Sequence, residues 1–272
     1  MPDQLPNCVI ALCGKGGVGK TSISAAIVKS LLSRPENKVL AIDADPAVGL
    51  ATALGIRVAR TVDDIRNELI RRIKHGQARD KMEIIASLDY EMLAALEENK
   101  NLAFLAIGRP ENEGCYCQVN HMLKDIISAL AGNFDYVVID GEAGIEQINR
   151  RVMQTVTHLL LISDASKKGL EVAKTILEVA DRTVHYRQAG LIVNRLHGVS
   201  EFERLRLPAS LYCLGWIPED GTVRQTDIDG SSLLEAEDGP AMKAVKHCLA
   251  EIEIDYNNPS SGRQPYDTTG TQ

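Results

Sequence analysis

Residues Cys8 to Ser22, CVIALCGKGGVGKTS, decide the fold. Cys8 to Cys13 is a short apolar run, and it leads without a linker into Gly14-Lys15-Gly16-Gly17-Val18-Gly19-Lys20-Thr21, which satisfies G-x-x-x-x-G-K-[ST]. A stretch with helical spacing follows from Lys20 to Ser33. Strand, glycine loop and helix therefore come in the order that a phosphate-binding loop needs. Glycines let the backbone wrap closely around phosphate oxygens, and successive N–H groups together with the helix N-terminus supply positive potential. Gly14, Lys15, Gly16, Gly17, Val18, Gly19, Lys20, Thr21 and Ser22 are the nucleotide-binding candidates. Lys20 is expected to reach the β- and γ-phosphates, and the Thr21 hydroxyl to ligate Mg²⁺.

Working outward, short apolar runs alternate with helical stretches. Further strands are expected at Val39 to Asp43, Met82 to Ala86, Asp135 to Asp140, His158 to Ile162, Gly190 to Asn194 and Leu211 to Ile217. Further helices are expected at Val62 to Lys74, Gln118 to Ala131, Glu146 to Gln154, Lys168 to Thr183 and Ala241 to Ile252. Several strands are apolar on successive residues, as strands buried on both faces are. The expected fold class is α/β: a mostly parallel, twisted sheet with helices on both faces, of the P-loop NTPase kind. One domain is expected over residues 1–255, and the polar, aperiodic residues 256–272 read as a disordered tail.

Composition narrows the function classes. Of 272 residues, 44% are hydrophobic, 25% charged and only 4% aromatic, which fits a globular chain with an aliphatic core. Thirty Lys and Arg against 37 Asp and Glu give a net charge of −7, a poor footprint for nucleic acid. No apolar run reaches 18 residues, and MPDQLPN lacks the features of a secretory leader, so a cytoplasmic protein without a membrane partner is expected. In a reducing compartment the six cysteines are thiols or metal ligands.

Two of them form Cys115-Tyr116-Cys117, just ahead of the helix at Gln118. No third cysteine or nearby histidine completes a zinc-finger spacing, so one chain supplies half of a tetrahedral thiolate site. A two-fold dimer would supply the other half. Structural thiols and a redox pair are the alternatives for the same residues.

GKGGVGKT resembles the deviant Walker A sequence of the nitrogenase iron protein and of MinD-like ATPases. That resemblance implies that Lys15 contacts nucleotide across a dimer interface. VLAIDADP, Val39 to Pro46, resembles the family's first switch, which implies that Asp45 positions or activates the attacking water and that Asp43 supports magnesium or the loop. DYVVIDGEAG, Asp135 to Gly144, resembles the second switch, implying that Asp140 helps hold Mg²⁺ through water. Lys15, Lys20, Asp45 and Asp140 are thus the implied catalytic set. Asn194 in GLIVNRL matches the family's adenine-contacting asparagine, and Pro218, Glu219 and Asp220 in GWIPED resemble its second base contact.

Together with GCYCQVN and DGEAGIEQINR, these motifs look like the CooC-type accessory ATPases that mature nickel enzymes such as carbon monoxide dehydrogenase. The resemblance spans residues 8–253. It implies ATP or ADP, Mg²⁺, and Ni²⁺ or Zn²⁺ held by Cys115 and Cys117 of two chains. It also implies a nucleotide- or metal-dependent homodimer and a client nickel metalloenzyme. Glu142 and Gln147 depart from the pattern and mark a different client. Two further functions fit the same residues. One is an ATP-gated electron donor with an iron–sulfur cluster between subunits. The other is a metal-free, MinD-like positioning ATPase.

Overall fold

The computed structural model describes residues 8–75, 81–109, 117–142 and 155–252, with positions 144, 145, 148 and 152 between the last two stretches. Among the described residues eight strands form one sheet. They are β1 (Cys8–Gly14), β2 (Val39–Asp43), β3 (Glu97–Asn99), β4 (Leu102–Ala106), β5 (Tyr136–Asp140), β6 (His158–Ser163), β7 (Gln188–Leu196) and β8 (Cys213–Pro218), in the order β3-β4-β2-β5-β1-β6-β7-β8. Every pairing is parallel except β3 with β4. The described helices are α1 (Lys20–Leu32), α2 (Gly49–Leu54), α3 (Val62–Lys74), α4 (Lys81–Ala94), α5 (Cys117–Ala131), α6 (Lys167–Thr183), α7 (Val199–Glu203), α8 (Gly221–Asp229) and α9 (Pro240–Glu251).

Strand alternation explains why both sheet faces are covered. Val9, Ala11 and Cys13 of β1 point to one face, where Ile65, Leu88, Met92, Leu123, Ile127 and Ala173 from α3, α4, α5 and α6 close over them. Cys8, Ile10 and Leu12 point to the other, under Ile27 and Leu31 of α1, Leu50 of α2 and Val245 and Leu249 of α9. A strand that is buried on both faces cannot alternate apolar with polar, so the successive apolar residues of CVIALC, VLAID and HLLLI are a requirement of the layered fold. The α/β expectation holds in full.

One strand expectation is corrected. Met82 to Ala86 lies within α4, where Ile84, Leu88 and Met92 recur at four-residue intervals and turn toward the core. Two strands were not expected: the three-residue β3, and β4, LAFLA, whose five residues are all buried beside β2. The expected helix at Glu146 to Gln154 lies mostly outside the described residues, although Ile148 and Val152 within it are buried. The tail at 256–272 lies outside them entirely. α2, α7 and α8 were not expected, since pieces of six, five and nine residues carry too little periodicity to read.

β1 lies inside the sheet between β5 and β6, and the chain reaches the left half of the sheet before crossing to the right half. The carboxyl ends of β1, β2, β5, β6 and β7 therefore open onto one edge, where parallel sheets of this kind bind ligands.

Candidate functional site

The loop after β1 is shaped by its glycines. A Cβ on Gly14 would drive into the Ile162 carbonyl of β6, so only glycine lets β1 enter the loop at this spacing. Gly17 and Gly19 have φ of 82° and 90°, conformations that cost other residues strain, and a Cβ on Gly19 would lie 2.5 Å from Asn194 Nδ2. Gly19 is also the N-cap of α1 and offers no side-chain cap, so the first N–H groups of α1 stay open toward the loop. Lys20, the first residue of α1, is only 8% exposed, and its Nζ donates to the Gly14 and Lys15 carbonyls at 3.2 and 3.3 Å. The loop thus forms a hollow of N–H donors with an ammonium across its mouth, a cradle suited to a polyphosphate.

Two acids end neighbouring strands and face each other in register, Asp43 on β2 and Asp140 on β5. Thr21 Oγ1 donates to Asp140 Oδ2 at 2.7 Å, and Ser24 Oγ donates to its other oxygen at 3.0 Å. Asp43 accepts from the Asp45 N–H at 3.0 Å and the Leu50 N–H at 2.8 Å, which ties the loop after β2 to the strand end. Burial pushes the Asp140 carboxyl up to about 6, partly offset by its two hydroxyl donors. Burial, and then the neighbouring Asp140 charge, push Asp43 up to about 7. Two carboxylates and a hydroxyl at one strand edge form a hard-oxygen donor set, and they fit a divalent cation such as Mg²⁺.

The remaining candidates are placed as follows. Asp45 accepts from the Ala47 N–H at 2.9 Å in the turn that leads to α2, half-buried beside the loop. Lys15 lies 3.6 Å from Asp164 Oδ2, where β6 ends. Asn194 is 7% exposed, and its amide nitrogen donates to the Val18 carbonyl at 2.8 Å. Asn194, Ser22, Pro218 and Glu219 all line one cleft of about 250 Å³ between α1, β8 and α8, beside the phosphate loop. Asp220 also lines it, but it caps two helices, accepting from Thr222 N and Ala241 N at 2.9 Å. Cys115 lies outside the described residues, and so does the side chain of Cys117, which opens α5. Among the described residues no group of three or more His, Cys, Asp or Glu side chains can hold a metal ion. Among the described residues Cys8, Cys13, Cys213 and Cys248 form no disulfide, and burial pushes Cys8 and Cys248 up to about 12.

Sequence reasoning missed three site residues. Ser24, the second donor to Asp140, had no motif to announce it. Asp164 follows an apolar strand just as Asp43 and Asp140 end theirs, and that pattern could have found it. Arg195 follows Asn194 and donates from Nη1 to the Gly17 carbonyl at 3.0 Å; regular strand alternation would have pointed it away.

Residues 8–191 match the protein family described as AAA domain. An uncharacterized ATP-binding protein of Methanocaldococcus jannaschii is 37% identical over 250 residues, covering 90% of this chain and 98% of that protein. The carbon monoxide dehydrogenase accessory protein CooC of Rhodospirillum rubrum is 25% identical over 274 residues, covering 93% and 98%. The septum site-determining protein MinD of Pyrococcus horikoshii, solved in complex with Mg-ADP, superposes with a TM-score of 0.61 at 20% identity, covering 90% of this chain and 96% of that one. No helix among the described residues is long and apolar enough to cross a membrane. The chain belongs to the AAA-domain family and is a P-loop ATPase.

Proposed function

We propose that this ATPase is a Mg²⁺-dependent maturation factor that inserts nickel into a metalloenzyme such as carbon monoxide dehydrogenase, with a metal site shared across a homodimer. The observation that carries the nucleotide half is the convergence of Lys20, Thr21, Asp43 and Asp140 on one strand edge beside an open helix N-terminus. In this reading the loop N–H groups and Lys20 hold the β- and γ-phosphates, and Thr21, Asp140 and Asp43 hold Mg²⁺. Bound there, the cation neutralises charge on the transferred phosphoryl group. Asp45 orients the attacking water, while Asn194, Pro218 and Glu219 contact the base. Catalysis then rests on positioning and electrostatics, with no covalent intermediate on the protein.

The metal half rests on Cys115-x-Cys117 and on the likeness to CooC along nearly the whole chain. Nickel or zinc is the cargo, and one domain through residue 255 carries both halves. The metal-free positioning ATPase is the second reading, favoured by the likeness of fold to MinD. Metal and acid-labile sulfide per chain, measured on anaerobically purified protein and on a Cys115→Ser/Cys117→Ser double variant, separate these readings. About half a nickel or zinc per chain, without sulfide and lost in the variant, is expected for a site of four thiolates per dimer. Iron with sulfide would instead indicate the electron donor, and no metal would leave the positioning ATPase.

A further inference from the structure

β7 departs from regular pairing where it passes the phosphate loop. Asn194 pairs with Ile217 and Leu196 with Pro218, so Arg195 is the extra residue of a one-residue bulge. Its φ is 62°, in the left-handed region that costs a non-glycine residue strain. The bulge cancels the strand's alternation. Asn194 and Arg195, which a regular strand would send to opposite faces, instead both reach the phosphate loop and donate to consecutive carbonyls. Asn194 Nδ2 reaches the Val18 carbonyl at 2.8 Å, and Arg195 Nη1 the Gly17 carbonyl at 3.0 Å.

A trans peptide is planar, so its C=O and the following N–H point in opposite directions. Holding the Gly17 carbonyl toward Arg195 therefore turns the Val18 N–H to the other side, and holding the Val18 carbonyl toward Asn194 does the same for the Gly19 N–H. Those two N–H groups belong to the middle of the loop, where backbone donors meet phosphate oxygens. With φ of 82° and 90°, Gly17 and Gly19 have little steric preference of their own to keep these peptide planes from rotating.

We infer that Arg195 is a positioning residue: its strained backbone and its bond to the Gly17 carbonyl pre-set the loop so that its N–H groups face a polyphosphate. Backbone strain held by surrounding structure beside a ligand loop is a recurrent device. The inference rests on the nucleotide reading of the loop, and it assigns Arg195 to the phosphates, although the same side chain also lines the neighbouring cleft.

The test uses the full chain loaded with a fluorescent ATP analogue, displaced separately by inorganic tripolyphosphate and by adenosine, in wild type, Arg195→Gly and Arg195→Lys. Glycine takes up the backbone conformation freely, so the thermal midpoint of empty Arg195→Gly is expected to hold or rise. Its affinity for tripolyphosphate is expected to fall about tenfold, the effect of losing one charge-assisted hydrogen bond. Adenosine affinity is expected to stay within about twofold. Arg195→Lys keeps a donor and is expected to recover much of the lost tripolyphosphate affinity. Unchanged tripolyphosphate binding in Arg195→Gly would overturn the inference, and so would an equal loss for adenosine, which would place the action of Arg195 in the cleft. A wild-type protein that never takes up the ATP analogue would instead overturn the nucleotide reading itself.

Discussion

Asp140 shows how one residue couples the empty site to stability. Its buried carboxylate accepts from the Thr21 and Ser24 hydroxyls, and Asp43 faces it from β2. With folded values raised to about 6 and about 7 against 3.8, the folded protein holds protons that the unfolded chain has released. The resulting stabilisation is fully present below about pH 4 and is lost as pH rises through 6 to 7. In metal-free protein the thermal midpoint is thus expected to fall between pH 5 and pH 8, and excess Mg²⁺ is expected to restore it. Asp140→Asn should flatten that slope and gain about 2 kcal/mol at pH 8, read from urea melts at the two pH values. A steeper slope in the variant would show that other groups dominate. Single residues were legible where a strand end or motif marked them, as with Lys20, Thr21, Asp43 and Asp140. Ser24 and Arg195 were not, because helix phase and a bulge, both properties of the folded chain, bring them to the site.

The elements β1, the loop and α1 behave as one piece, and its glycines differ in what they tolerate. Gly14 presses against the Ile162 carbonyl of β6, whereas nothing lies within 4 Å of a Cβ built on Gly16. Gly14→Ala is expected to destabilise the protein by about 2 kcal/mol or more, and Gly16→Ala to stay within about 0.5 kcal/mol, in denaturant melts of the empty protein. Equal effects would mean that the β1–β6 contact does not set the loop's entry. Elements were legible in proportion to their length and burial. β1, β2, β5 and β6 read cleanly because burial on both faces leaves a continuous apolar run. α4 did not: MEIIA looks like a strand over five residues, and only Leu88 and Met92 farther along reveal the helical period.

At the scale of the molecule, the strand order brings residues far apart in sequence to one edge. The pairing of Lys15 with Asp164 belongs to that edge and stays within one chain. Their side chains are 35% and 37% exposed, so the pair contributes no more than about 1 kcal/mol and is easily exchanged for another partner. If Lys15 serves a second subunit, light scattering should show wild type doubling its mass with Mg-ATP and Lys15→Gln remaining at monomer mass with an unchanged melt. A variant that doubles its mass equally well would remove Lys15 from the interface. The layered α/β architecture was legible from the alternation of apolar runs and helical stretches. Which strands are neighbours was not, because pairing is decided by crossover connections that leave no local mark.

Phosphate release from Mg-ATP, measured side by side in wild type, Lys20→Ala and Asp140→Asn, reaches the central claim most directly. Wild type is expected to release phosphate only with Mg²⁺ present. Both variants are expected to lose about a hundredfold or more while keeping wild-type circular dichroism, since each removes charge that holds the transferring phosphoryl group or its metal. Release that persists in Lys20→Ala, or that proceeds equally with Mg²⁺ chelated, would contradict the assignment of hydrolysis to this strand edge.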